Sequence, residues 1–315
     1  MMFTLGGFAP YTVTYIPSPK GIAEEVAVLS DTTHGFKANV EDASLFNPLN
    51  QHDLRMLRAM VVEQAPQIFS FAQTVKIHLL QGAMAVHVEK LGLQDLPLEL
   101  RQCCLFVLGC LLGEPTATDP RERRVLWDVK ARPLPPGHFA TFSEHDREAR
   151  FHTDTQYYPN PERFFFLYSY RTAKCGGGQN FFASGSEIIN KLVRTKAGLQ
   201  AFSILSSVDL PFRIPSTFAM GQEPDYTWAP IISALPLVRY REDTLFDGEA
   251  RFPELPWQTI RDAVAEFHAV AERLATATEA LPDDGIVFVN NHEALHARTP
   301  FTDQDRHLIR VRLHA

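Results

Sequence analysis

Long apolar runs are missing from this chain. The longest, "CCLFVLGCLLG" at residues 103–113, falls far short of the roughly 20 residues that cross a bilayer, so no membrane partner is expected. The first twenty residues have no basic stretch followed by a sustained apolar one, so no signal peptide is expected either. Lys/Arg-rich runs are also lacking, and the formal net charge of -7 repels a phosphate backbone, which argues against nucleic acid. Cysteine is scarce: Cys103, Cys104, Cys110 and Cys175, three of them in one apolar segment and none in a C-x-x-C pair. That usage fits buried thiols in a reducing cytoplasm, not a disulfide framework or a zinc knuckle. No Gly-rich loop follows a strand and opens a helix, so nucleotide folds have little support.

What remains is enough for a large core: 315 residues, 45% of them hydrophobic, as one elaborated domain or two smaller ones. Residues 53–72 begin as an amphipathic helix behind Asn50 that Pro66 limits or kinks. "GAMAVHVEKLGL" (82–93) suits a strand, and 98–113 a buried helix ended by Gly113 and Pro115. From 120 to 160 Pro, charge and His replace any helical period. "RFFFLYSYR" (163–171) is aromatic on both faces, as a strand covered on two sides would be. "CGGGQNFFA" reads as a tight turn into a strand. The strongest helical pattern covers 257–281, where Ile260, Val264, Phe267, Ala271, Leu274, Thr278 and Leu281 recur on one face. "DDGIVFVNN" and "RHLIRVRLH" are strands. The expected fold class is mainly β, an antiparallel core with helices packed outside.

Near the C-terminus, "NNHEALHARTPF" contains His292, Glu293 and His296 in the H-E-x-x-H pattern of zinc peptidases. That chemistry needs a helix, where residues four apart share a face. Here a β-like run arrives and Pro300 follows, and on a strand the two histidines stand roughly 13 Å apart, too far to share one ion. A second pattern, "RFHTDTQYY", offers His152 and Asp154 at i and i+2, on one face of a strand. With one distant His this makes a 2-His-1-carboxylate triad, which leaves open positions on Fe(II). His296 is the candidate, because ten residues later come Arg306, then Arg310 and Arg312. On a strand, Arg306, Leu308, Arg310 and Arg312 share one face opposite Ile309, Val311 and Leu313. Guanidinium groups lining a cavity suit a dicarboxylate co-substrate.

At this point the sequence resembles the iron(II)/2-oxoglutarate-dependent oxygenases of the taurine dioxygenase and clavaminate synthase-like family. "FHTD", "YRTAKCGGGQNFFAS", "VRYRED", "LPDDGIVFVNNHEALHARTPF" and "RHLIR" occur in that family's order, spanning roughly 80–314, with 1–80 as an N-terminal elaboration of a single oxygenase domain, 1–315. The resemblance implies a double-stranded β-helix, or jelly roll. It also implies iron ligands His152, Asp154 and His296, and Arg306 gripping the distal carboxylate of 2-oxoglutarate. Asn180 falls where a hydroxyl residue often helps bind 2-oxoglutarate, and Ala297 replaces the usual Gly after the distal His. The implied cofactors are Fe(II), 2-oxoglutarate and O2. An intact Asp154 favours hydroxylation, desaturation or ring closure over halogenation.

The residues flanking the triad are the expected pocket for a small polar metabolite. Gln156 shares the parity of the metal-facing positions, and Tyr157 adjoins it. Arg310 suits an anionic group, and Glu148 suits an ammonium, so an amino acid is one expectation. Arg239 either reaches the cavity or pairs with nearby acids. His138, His145, His292 and His307 need no chemical role. A non-catalytic jelly-roll binding protein is the main alternative, with a zinc peptidase behind it.

Overall fold

In this computed structural model, residues 12–33, 46–118, 123–219, 221 and 225–315 are described; the first eleven, where a leader peptide was considered, lie outside them. The elements in order are β1 (Thr12–Tyr15), α1 (Ile22–Thr33), α2 (Gln51–Gln64), α3 (Pro66–Leu80), β2 (Ala83–Val88), α4 (Leu98–Leu112), β3 (Glu114–Pro115), β4 (Trp127–Val129), β5 (Ala149–His152) and β6 (Phe164–Arg171). There follow β7 (Asn180–Ser184), α5 (Gly185–Leu192), α6 (Lys196–Ser207), β8 (Leu210–Arg213), β9 (Tyr226–Ala229), α7 (Glu242–Phe246), α8 (Trp257–Leu274), β10 (Thr276–Ala277), β11 (Ile286–Asn290), β12 (Ala294–Arg298) and β13 (His307–His314).

Two sheets form the core. The larger runs β1-β2-β11-β6-β13-β3, with β4 also on β13, and the smaller runs β10-β7-β12-β5. Side-chain alternation explains the aromatic density of β6. Phe164, Phe166 and Tyr168 pack into the layer made by α1–α4, while Phe165 faces the other way, into the space between the sheets. β11 divides likewise, with Ile286 and Phe288 outward and Val287 and Val289 inward. The outer face of the smaller sheet is closed by α5, α6 and α8 through Ile188, Leu205 and Phe267. Burial on both faces is what makes these strands read as continuous apolar runs.

Pro66 does not kink one helix; it is the first residue of a second, α3, where its missing N–H costs nothing. The strands expected around 82–93, 163–171, 286–290 and 307–314 are present, as is the buried helix α4. The helix expected over 257–281 stops at Leu274. Beyond it Ala275 turns extended, Thr276 and Ala277 pair with Phe182 and Phe181, and the Thr278 N–H donates to the Asn180 carbonyl. The β-branched threonines favour this extra strand, so Thr278 continues the sheet edge and Leu281 lies beyond it, neither on the helix face.

Candidate functional site

β5 and β12 are antiparallel neighbours, and their register places His152 opposite His296. The two rings lie 4.1 Å apart at their centroids. β5 ends at His152, and the chain then turns so that Asp154 points back at both. Its Oδ1 is 3.8 Å from Nε2 of each imidazole. Together the three offer one donor atom apiece, all within 4.8 Å of one another. The His152 Nδ1–H donates to the Arg150 carbonyl at 2.8 Å, which leaves the Nε2 lone pair facing Asp154. Burial and the neighbouring His296 push His152 well below its ordinary value, so it is neutral at neutral pH. Burial would raise the Asp154 carboxyl, but Arg310, His296 and Arg312 outweigh it and hold it well below the usual range. A neutral imidazole and an ionised carboxylate are the forms that bind a cation.

β13 lines the inner wall. Arg310 and Arg312 point inward with Leu308, while Ile309, Val311 and Leu313 join the outer core. Arg310 Nη1 lies 2.9 Å from Asp154 Oδ2, and Arg312 Nε 3.5 Å from the same oxygen. Arg306, just before β13, is 4% exposed, and its Nη1 has no partner. Its guanidinium sits 4.8 Å over the Phe301 ring, and a Cβ on Gly178 would stand 3.3 Å from its Nε. The glycine triplet is needed here: a Cβ on Gly177 would stand 2.2 Å from the Pro300 carbonyl, and Gly178 has φ +78°. A buried guanidinium with an unpaired N–H is costly unless an anion comes to it. His152, Asp154, His296, Asn180, Arg306 and Arg310 all line one narrow cavity between the sheets.

The other expected residues lie elsewhere. Gln156 does not face this cavity: its amide donates to the Thr244 hydroxyl. The strand parity fails because Thr155 adopts φ +53° and reverses the chain. Tyr157 is buried against Phe218, their rings stacked at 5.8 Å. Glu148 is 62% exposed, 4.0 Å from Arg150, on a separate open groove. Among the described residues Arg239 neither lines the cavity nor pairs with an acid; it donates to the carbonyls of Gln156, Tyr158 and Pro159. His292 bonds the Pro161 carbonyl, His307 bonds Asp128 and His138 bonds Thr217. His145 is part-buried in the wall of the same groove as Glu148. H-E-x-x-H is a turn followed by a strand, and Glu293 accepts from the Ser184 hydroxyl and from Ser186 N–H and hydroxyl.

Two contributors were not anticipated. Phe142 stands edge-on to His152 with centroids 4.5 Å apart, with Arg241 4.0 Å over its face. Arg298 lines the cavity and donates to the carbonyls of Phe142, His145 and Arg147, holding the covering loop down. Its signal was available, since it follows His296 by two on the same strand. Phe142 had none.

A sequence profile of the "Taurine catabolism dioxygenase TauD, TfdA family" matches residues 93–312. The chain belongs to this family. It is accordingly a 2-oxoglutarate-dependent non-haem iron dioxygenase that uses Fe(II), 2-oxoglutarate and O2. Among solved structures, this TauD/TfdA-family chain is similar to an asparagine oxygenase in complex with Fe(II), 2S,3S-3-hydroxyasparagine and succinate. There the TM-score is 0.72 at 16% identity, covering 95% of this chain and 93% of that one. It is also similar to the non-heme iron oxygenase OrfP in complex with Fe and alpha-ketoglutaric acid (TM-score 0.64, 15% identity, 95% and 94% covered). A further OrfP complex, with Fe, succinate and (3S)-hydroxy-L-Arg, gives TM-score 0.64 at 16% identity, covering 96% and 94%. These likenesses establish the jelly-roll fold. No curated protein matches the chain by sequence. Among the described residues no helix is long and apolar enough to cross a membrane.

Proposed function

We propose that His152, Asp154 and His296 hold the iron, that Arg306 binds the distal carboxylate of 2-oxoglutarate, and that the enzyme hydroxylates a C–H bond of a small amino-acid-like or other anionic metabolite. One observation carries this: the three donors converge in the same narrow cavity as Arg306, whose buried Nη1 has no partner. The donor set suits the ion in kind, two imidazoles and a carboxylate. The 3.8 Å from Asp154 Oδ1 to each Nε2 is within the roughly 4 Å that two bonds of about 2 Å allow. The full spread of up to 4.8 Å would contract by under about 1 Å around a bound metal. Iron with 2-oxoglutarate and O2 supplies the oxidising power and yields succinate and CO2. The protein's part is arrangement. Arg310 holds Oδ2 of Asp154, which leaves Oδ1 for the metal. The Arg150 carbonyl fixes the tautomer and tilt of His152. Phe142 and the loop tied by Arg298 keep water off. Asn180 forms the wall near Arg306 but lacks a hydroxyl. Arg310 keeps Nε and Nη2 unpaired, which suits an anionic group on the substrate.

The amino-acid class rests on the complexes that the structural relatives form, with 3-hydroxyasparagine in one and (3S)-hydroxy-L-Arg in the other. We take residues 1–315 as one oxygenase domain, because α1 and α3 pack on the same core as α4 and β6. The test is an anaerobic titration with Fe(II) and 2-oxoglutarate, followed by a screen of amino acids and small organic acids for stimulated succinate release. A visible metal-to-ligand absorption band is expected, and it disappears in His152→Ala and His296→Ala. A wild-type protein that develops no band refutes the assignment.

A further inference from the structure

Asp154 lies beyond the end of β5, where no strand ladder fixes its backbone, yet both sides of its peptide are held by one side chain. Asn291 Oδ1 accepts the Asp154 N–H at 2.7 Å, and Nδ2 donates to the Asp154 carbonyl at 3.0 Å and to the Glu162 carbonyl at 2.8 Å. Asn291 is 1% exposed, and its amide spends both N–H groups and its oxygen on this turn. The next residue, Thr155, has φ +53°, an uncommon and costly conformation for a β-branched residue. Its hydroxyl donates to Glu162 Oε2 at 2.6 Å, while the Thr116 hydroxyl donates to Oε1, also at 2.6 Å. Thr155 and Glu162 are both buried. Strain of this kind persists only where the surroundings over-determine it, and here it sits one residue from a metal-site carboxylate.

We infer that Asn291, with the Thr155–Glu162 pair, is a positioning element that aims the Asp154 carboxylate at the metal. The inference rests on the reading of Asp154 as an iron ligand. It differs from a merely structural role in what it predicts for metal affinity in a protein that still folds. The experiment titrates the full chain with Mn(II) alone, followed by electron paramagnetic resonance, alongside thermal melting. Asn291→Ala is expected to weaken Mn(II) binding about 10- to 100-fold, the usual cost of losing a group that orients a ligand. Its 2-oxoglutarate affinity at saturating metal should stay within about twofold, because Arg306 is untouched. Thr155→Gly removes the penalty of positive φ, which partly offsets the loss of the donor to Glu162, so its melting temperature should fall only modestly while Mn(II) binding weakens about fivefold or more.

Either variant, folded and binding Mn(II) within about twofold of wild type, overturns the inference. If Asn291→Ala does not fold, Thr155→Gly decides alone. A wild-type chain that binds no Mn(II) instead overturns the metal-site reading and this inference with it. Loss confined to the variants is the result that supports the assignment.

Discussion

Arg306 is incompletely satisfied by the protein itself: buried, stacked on Phe301 and with one nitrogen unpaired. Burial and nearby Arg298 both disfavour its charge, a cost that a bound carboxylate relieves. A charge-assisted hydrogen bond contributes about 1.5–3 kcal/mol, so Arg306→Ala should weaken 2-oxoglutarate about 10- to 100-fold. Calorimetry on the metal-loaded protein measures this, and Mn(II) affinity without 2-oxoglutarate should not change. Glu293 supplies the opposite expectation. It accepts three hydrogen bonds from Ser184 and Ser186, so Glu293→Gln should lower stability by about 1–2 kcal/mol. Succinate release should survive the change. Complete loss of succinate release in a folded Glu293→Gln protein would overturn this purely structural role for Glu293.

Among the elements, β13 supplies the arginines that face Asp154 and was also the most legible. Alternation of arginine with apolar residues from Leu308 to Leu313 encodes one wet and one dry face, and period two needs no tertiary knowledge. β6 was legible for a related reason, since only a strand covered on both sides tolerates that many consecutive aromatics. The turn after β5 was not. Parity arguments assume that the strand continues, and nothing local in Thr153–Gln156 announces that Thr155 turns left-handed. Asn291 was invisible too, because its partners lie 137 and 129 residues away. The overrun of α8 came from an apolar period that a short strand happened to continue. Where α4 meets β13 the fit is tight: a Cβ on Gly113 would stand 1.9 Å from the His314 carbonyl and 2.7 Å from Leu313 Cδ1. Gly113→Ala should therefore cost at least about 1–3 kcal/mol in urea denaturation, as overpacking does.

For the whole molecule, buried groups set an acid limit, His87 and Glu144 among them. His87 on β2 is buried with Nε2 unpartnered, and burial lowers it to about 4 from 6.5. The unfolded chain then binds more protons than the native one between those values, so stability falls as pH drops from about 6.5 towards about 4. Burial would raise Glu144, but hydrogen bonds from Thr141 N–H, Arg132 and Thr217 outweigh it and hold it at about 2. Its contribution is present above 4.5 and is lost as pH falls towards about 2. Urea midpoints measured against pH should decline in two stages. His87→Phe should make the upper stage shallower without abolishing it, because burial also lowers His145 and His152. The lower stage should be unaffected.

The placement of Arg306 also bears on how the enzyme responds to its own output. Under the proposed assignment, this residue recognises only the far carboxylate, the end of 2-oxoglutarate that passes unaltered into succinate. Spent and fresh co-substrate are therefore indistinguishable to it, and discrimination falls entirely to the metal end. Under that assignment succinate should compete with 2-oxoglutarate for the site, so inhibition in a turnover assay should deepen as the succinate/2-oxoglutarate ratio rises.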